Sequence, residues 1–363
     1  MVDAGPASYP DTVPLPPLSR PDEVAALLAG AVDLHCHSGP AAMPRILDHH
    51  EQLMHAAAAG FRAVVYKDHY YPGMAHAILL EKLFPETNVR LFSGIVLNNA
   101  LGGFNPHAVD HTIALGGKIV WMPTVSATNH VVQLSSGKAK TFPKTSRKMM
   151  EPDPLSALDT NGKLKDEVKR IIDLIAEADI ILAGGHLPVS ELHILFEEAA
   201  GRGVKKLLIN HPTYIVGCND SDIRQLVGIG AAMEHSICMF VDGKSKKYSA
   251  DDLAHLIEVA GVDRTILSSD LGLLHSQRPV DGFRSIVQML LDLQMSPAQI
   301  RKLISTNAAA LLNLPETAAK APPPGIDVTQ ARAQAAKAAP HDAAEQERLF
   351  KEFLEWSLKR PRQ

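Results

Sequence analysis

A chain of 363 residues, 46% apolar and 21% charged, has material for one large α/β barrel or two ordinary domains. Its net charge of −4 gives no footprint for nucleic acid or an acidic membrane surface, and no apolar run approaches the roughly 20 residues of a bilayer span. Three cysteines, Cys36, Cys218 and Cys238, form no Cys-x-x-Cys pair and cannot pair completely, which argues against a disulfide framework and for a reducing, cytoplasmic setting.

Residues 1–21 carry Pro6, Pro10, Pro14, Pro16, Pro17 and Pro21 and read as an extended arm around the body or a partner subunit. With a short helix from Pro21 to Leu28 they form a lead-in, residues 1–30. The first strand, Ala31 to His37, ends in His35-Cys36-His37, and alternation puts both imidazoles on one face with Cys36 on the other. After a loop with Gly39-Pro40 come a helix around Glu51–Ala59 and a second strand, Arg62–His69. Helices at Met74–Phe84 and Pro106–Leu115 flank a third strand, Val89–Asn98, and Lys118–Pro123 is the fourth.

From Thr124 to Lys163 the chain is polar, with a basic segment from Lys138 to Lys148, and reads as an insertion that shapes the pocket or covers it. The alternation resumes with a strongly periodic helix, Leu164–Ala178, and a fifth strand, Asp179–His186. A helix from Pro188 to Ala200 leads to a sixth strand, Lys206–His211, and a helix, Asp220–Val227. The weaker seventh strand, Ala231–His235, is followed by a helix, Ala250–Ala260. An eighth strand, Thr265–Asp270, precedes helices at Phe283–Leu293 and Pro297–Leu312.

Eight strands alternating with helices predict a (β/α)8 TIM barrel over residues 31–314. A doubly wound sheet would need a Gly-rich turn after its first strand, and His35-Cys-His-Ser-Gly39 is no such turn. Residues 315–363 form an Ala/Pro-rich linker and an amphipathic segment, Ala343–Leu358, expected to cover the barrel or to make a homo-oligomer.

All strand C-termini of such a barrel face one mouth. His35, His37, His186, His211 and Asp270 would meet there, and imidazole with carboxylate suits Zn²⁺, or Mn or Fe, as one or two ions. Each has an ordinary reading alone: a core histidine, a turn, a helix cap. Five coincidences at the right strand ends favour one site.

This order of residues resembles the amidohydrolase superfamily of metal-dependent hydrolases, over Ala31 to Leu314. The resemblance implies that His35 and His37 hold the more buried metal, that His186 and His211 bind metal or substrate, and that Asp270 handles the proton. It departs in one place. A carboxylated lysine of the fourth strand commonly bridges two metals in that superfamily, and Val120-Trp-Met-Pro-Thr124 offers neither Lys nor Glu. Lys67 and His69, sharing a face at the end of the second strand, are the substitutes. Lys67 is carboxylated, or else binds an anionic substrate or pairs with Asp270, and His69 is a ligand or supports one.

Lower weight falls on Glu234 and His235, whose strand is weak, and on Cys218, which has no base. His49 and His50 read as solvated or helix-capping, and His107, His111, His193 and His255 as surface or packing residues. The expected activity is hydrolysis of a C–N bond (amide or cyclic amide) or of an ester or lactone, in a small molecule, with Asp270, Lys67 and His211 as catalytic groups. Phosphoester hydrolysis lacks an evident arginine clamp. Metal-dependent decarboxylation on the same site is the rival enzyme, and a non-enzymatic metal-binding protein the rival from another class.

Overall fold

A computed structural model describes residues 12–137, 145 and 148–315. Most of the basic segment Lys138–Lys148, the first eleven residues of the arm and the amphipathic segment Ala343–Leu358 lie outside the described residues. The chain divides after Ala321, and the described residues all belong to the first unit.

Eight strands lie in sequence order, all neighbours parallel: β1 Val32–Cys36, β2 Ala63–Tyr66, β3 Arg90–Val96, β4 Ile119–Trp121, β5 Ile181–Ala183, β6 Leu207–Asn210, β7 Ala232–Ser236 and β8 Thr265–Ser268. The backbone N–H of Asp270 donates to His35 O (2.7 Å) and that of His37 to Leu271 O (3.0 Å), which joins the last strand to the first. This is the (β/α)8 barrel expected from the alternation.

Helices α1 Pro21–Leu28, α2 His49–Ala58, α3 Met74–Leu83, α4 Pro106–Ala114 and α5 Thr128–Ser135 accompany the first half. The second half carries α6 Asp166–Ala178, α7 Val189–Gly201, α8 Asp220–Ile229, α9 Ala250–Ala260 and α10 Pro279–Asp292. Helix α6 shows why they pack: Val168, Ile171, Ile172 and Ile175 recur at helical spacing and are fully buried. Burying each such side chain is worth about 1.5–3 kcal/mol. Capping boxes at Asp48/Glu51, Asn219/Asp222 and Ser249/Asp252 fix where α2, α8 and α9 begin after their loops.

Two apolar layers follow from strand alternation. Val64, Leu182 and Met233 face the helices, whereas Val65, Ile119, Trp121, Ile181 and Leu208 fill the barrel interior. The far end is closed by a last helical stretch: α11 Pro297–Arg301, a π turn over Lys302–Thr306, and α12 Asn307–Leu311. Ala308, Ala309 and Leu312 join the interior layer. Asn307 Nδ2 donates to Val262 O and Thr265 O (2.8 and 2.7 Å), and Ser305 Oγ to Gly30 O (2.6 Å). The single helix read from Pro297 to Leu312 is therefore interrupted by one wider turn. The described part of the arm lies on the barrel, with Val13 N–H donating to Ser276 O and the Ser19 and Arg20 amides to Gln288 Oε1. No helix among the described residues is long and apolar enough to cross a membrane.

Candidate functional site

The first strand does not alternate simply. Asp33 pairs with Val64 but Cys36 with Tyr66, so three residues of β1 span two of β2, a β-bulge. Leu34 thus lies in the interior layer while Cys36 faces the helices, and His35 and His37 turn inward. Asp33 stabilises the bulge: its buried Oδ1 accepts from the amides of His35 (3.2 Å) and Ser269 (2.9 Å). Burial pushes its carboxyl up to about 6 against those hydrogen bonds. Gly272 seals the same corner, because a Cβ there would stand 1.9 Å from His37 O and its φ is +127°.

Asp270 Oδ1 lies 3.0 Å from His35 Nε2 and 3.2 Å from His37 Nε2. The other ring nitrogens are engaged behind: His35 Nδ1 with Glu234 Oε1 (2.9 Å), and His37 Nδ1 donating to Lys67 O (2.8 Å). Both Nε2 atoms therefore converge on one carboxylate oxygen, and His35, His37 and Asp270 each offer a ligand atom within 4.8 Å of the others. Lys67 Nζ, 3.0 Å from His35 Nε2, lies 5.4 Å from the centre of the Trp121 ring.

The donor set fits a divalent cation. Imidazoles anchored at Nδ1 and aimed through Nε2, beside a carboxylate, form the arrangement that orients metal ligands. The electrostatics agree. Burial alone would raise the Asp270 carboxyl, yet the His35 and His37 rings hold it well below the usual range. Burial would lower His35, but Asp270 and Glu234 outweigh it and bring the ring to about 9. A ring between two carboxylates marks a place for positive charge. Burial depresses His37 to about 3 and His69 and His186 well below their ordinary range, so these rings are neutral and their lone pairs can coordinate. Lys67 is likewise lowered by burial, against Asp270 and Glu234.

His186 and His211 line the same cleft but form a neighbouring group, with ring centres 4.9 Å apart. His186 Nδ1 lies 2.7 Å from Nδ1 of His130, a residue of α5. The His211 ring points Nδ1 at Tyr214 O (3.1 Å), leaving Nε2 to carry the lone pair. His69 stacks on His37 at 5.1 Å, and its Nδ1 is 2.9 Å from Thr124 Oγ1. Asn98 at the end of β3 steadies that corner: Oδ1 accepts from the Thr124 and Ser126 amides while Nδ2 donates to His69 O. His211 (φ 33°), Asp270 (φ 45°) and Ile215 (φ 64°) are non-glycine residues in the left-handed region, and all three line the cleft. Such conformers cost about 1–3 kcal/mol each and persist where surrounding contacts enforce them. For Ile215 those contacts are Asn129 and Gln133 of α5, whose Nδ2 and Nε2 donate to its carbonyl at 2.5 and 2.7 Å.

Three residues of the site have no signal in the sequence, and a fourth, Glu234, has only a weak one. Glu234, given low weight on a weak strand, is fully buried, binds His35 and accepts from Asn210 Nδ2. His130 lay in a segment read as polar loop, and its helix has no strong apolar repeat to betray it. Cys238 lines the cleft with its thiol 3.8 Å from Asp270 Oδ2, whereas Cys218 belongs to the outer core. No motif announces Arg45 in the sequence, and its guanidinium side chain, 2% exposed, also lines the cleft. His49 needs a correction too. It is buried, with Nδ1 2.5 Å from Ser38 Oγ and Nε2 3.0 Å from Tyr71 Oη, because a backbone bridge between Gly39 and Asp48 ties the loop to the start of α2. On β4, Trp121 faces inward beneath Lys67, so that strand supplies no ligand at this level.

Solved structures share this fold at low sequence identity. The probable dipeptidase PvdM from Pseudomonas aeruginosa superposes with a TM-score of 0.57 at 11% identity, over 80% of this chain and 96% of that one. An amidohydrolase from Pseudomonas aeruginosa gives 0.52 at 12% over 80% and 98%, and the organophosphorus hydrolase from Deinococcus radiodurans 0.50 at 13% over 80% and 93%. The amidohydrolase resemblance read from the motif order is thereby borne out at the level of fold. No curated protein matches the chain in sequence. A family model described as a family of unknown function (DUF6282) matches residues 30–234, more than half of the chain, from β1 into β7, and the protein belongs to that family.

Proposed function

We propose that the protein is a metal-dependent hydrolase that cleaves a C–N bond, in an amide or cyclic amide, or an ester or lactone bond of a small molecule. The observation that carries this reading is the convergence of His35 Nε2, His37 Nε2 and Asp270 Oδ1, each imidazole fixed from behind. His35, His37 and Asp270 would hold the ion, Zn²⁺ by the chemistry of the donors with Mn or Fe as substitutes. A divalent ion there supplies Lewis acidity, which makes water nucleophilic near neutral pH and polarises the bond under attack. The fold shared with a dipeptidase, an amidohydrolase and an organophosphorus hydrolase supports the reading.

The chain's own groups have separable tasks. Asp270, held ionised, accepts a proton from the attacking water and returns it to the leaving group. His186 and His211, neutral and facing the cleft, bind substrate or take part in holding a second ion. Lys67, its ammonium disfavoured by burial, serves as a carboxylated bridge or as a hydrogen-bond donor to substrate. The buried, unpaired cysteines support a reducing cytoplasmic setting. A homo-oligomer built through the terminal extensions remains part of the proposal.

Metal analysis tests it. Purified protein should hold divalent metal, and His35→Ala or His37→Ala should lose most of it while the barrel stays folded by circular dichroism. Asp270→Asn should lower turnover by about 10²–10⁴-fold, the usual worth of a general acid–base group. Full metal occupancy in the double histidine variant would overturn the ligand set. Release of carbon dioxide without uptake of water would turn the same site into a lyase.

A further inference from the structure

Arg45 is the buried cation that the proposed reaction leaves without a task. Its loop is tied to the β8–α10 loop, where Arg45 bridges Leu273 and Ile46 N–H donates to Gly272 O (3.0 Å), so the side chain is delivered to the cleft wall. Its charge bears on His37, Lys67, His69 and Asp270. Yet its Nε and Nη2 are shut off from solvent and have no hydrogen-bond partner in the protein. The nearest carboxylate, Asp68 Oδ2, stands 3.9 Å from Nη2, beyond hydrogen-bond reach, and is itself without a partner.

Buried guanidinium groups normally have their donors satisfied, so one that does not calls for an explanation. Nε and Nη2 share one edge of the guanidinium plane, whose parallel N–H bonds match the two oxygens of a carboxylate. The surroundings agree in sign. Lys67, Lys244 and Lys247 also line the cleft, against Asp270 as its one lining carboxylate among the described residues. We propose that Arg45 is the carboxylate-binding residue of this site, and that the substrate carries a carboxylate beside the bond that reacts. This rests on the hydrolase reading for the reaction, though not for the binding. Neither nitrogen is exposed, so binding at that edge requires the cleft wall to rearrange.

The test uses the full chain and two probes that differ only in charge, N-acetylglycine and N-acetylglycinamide, with inorganic phosphate as a third. Binding is measured by calorimetry on metal-stripped and metal-loaded protein, so that direct coordination of the probe to the ion is separated from the Arg45 contribution. N-acetylglycine should bind both forms more tightly than its amide. Arg45→Met should weaken it by about 10- to 100-fold, the worth of hydrogen bonds to a charged group, and leave the amide unchanged. Arg45→Lys, which keeps the charge next to Asp68 but lacks the fork, should recover only part of the preference. An Arg45→Met/Asp68→Asn double variant guards against misfolding from an unpaired Asp68. If Arg45 is only the structural partner of Asp68, its variants lose thermal stability but keep the carboxylate preference, which overturns the proposal. Phosphate bound more tightly than N-acetylglycine through Arg45 overturns it in favour of a phosphoryl group. Carboxylate preference without hydrolysis on any metal-loaded preparation leaves the Arg45 site standing and removes the hydrolase reading instead.

Discussion

His35 shows how much one side chain depends on its neighbours. Its Nε2 faces Asp270 and Lys67, and its Nδ1 is fixed by Glu234, which Asn210 Nδ2 and Ser236 Oγ hold in turn. Removing that support should loosen the ring without removing a ligand. Glu234→Gln keeps the shape but loses the charge that favours a cation at His35. It should weaken metal affinity by about 10- to 100-fold, the usual effect of a partner behind a metal-bound histidine. A competition titration against a chelator reads this directly. Unaltered affinity would make Glu234 a packing residue.

Among the elements, β1 and α5 carry the site's geometry. The bulge in β1 is held by the single oxygen Asp33 Oδ1, which serves two buried amides. Asp33→Ala should leave both unsatisfied, at about 1–3 kcal/mol each, and let the histidine pair swing off line. Denaturant unfolding should show the lost stability and metal analysis the lost site, whereas Asp33→Asn, still an acceptor, should recover most of both. Helix α5 acts from the opposite wall, bringing His130 to His186 and holding Ile215 O by Asn129 and Gln133. His130→Ala should reduce kcat/KM by about 10-fold through misplacement of His186. Metal bound by His35 and His37, and the melting temperature, should scarcely change. Equal losses of stability and activity would show that α5 is there for packing.

At the scale of the whole molecule, buried neutral histidines make stability depend on pH. Burial lowers His49 and His235 each to about 4 from an ordinary 6.5. As pH falls below about 6.5 the unfolded chain takes up those protons, while the native protein does so only near 4. Their contribution is complete above 6.5, is lost as pH falls from there towards 4, and changes no further below. Each group adds a slope of at most about 1.4 kcal/mol per pH unit. His235→Leu should flatten the fall in unfolding free energy over that window, read by urea denaturation, by up to one such slope. An unchanged slope would mean that His235 is protonated in the native protein.

The eightfold alternation, the placement of His35, His37, His186, His211 and Asp270 at strand ends, and the sharing of a face by Lys67 and His69 were legible in the sequence. They follow from local periodicity and from the rule that barrel strands end at one mouth. Ala250–Ala260 was read to the residue because a serine cap and a glycine bound it. Other properties came only from the closed barrel. Period-2 alternation would put Leu34 and Cys36 on one face, and the bulge separates them because Asp33 finds Ser269, far along the chain, as a partner. Glu234 behind His35, His130 against His186 and Arg45 on the cleft wall are pairings across loops and strands distant in sequence, with no local pattern to announce them. Residue type and spacing determine which groups can do chemistry here; which of them meet, and which stay neutral, is decided by burial and by neighbours that only chain closure supplies.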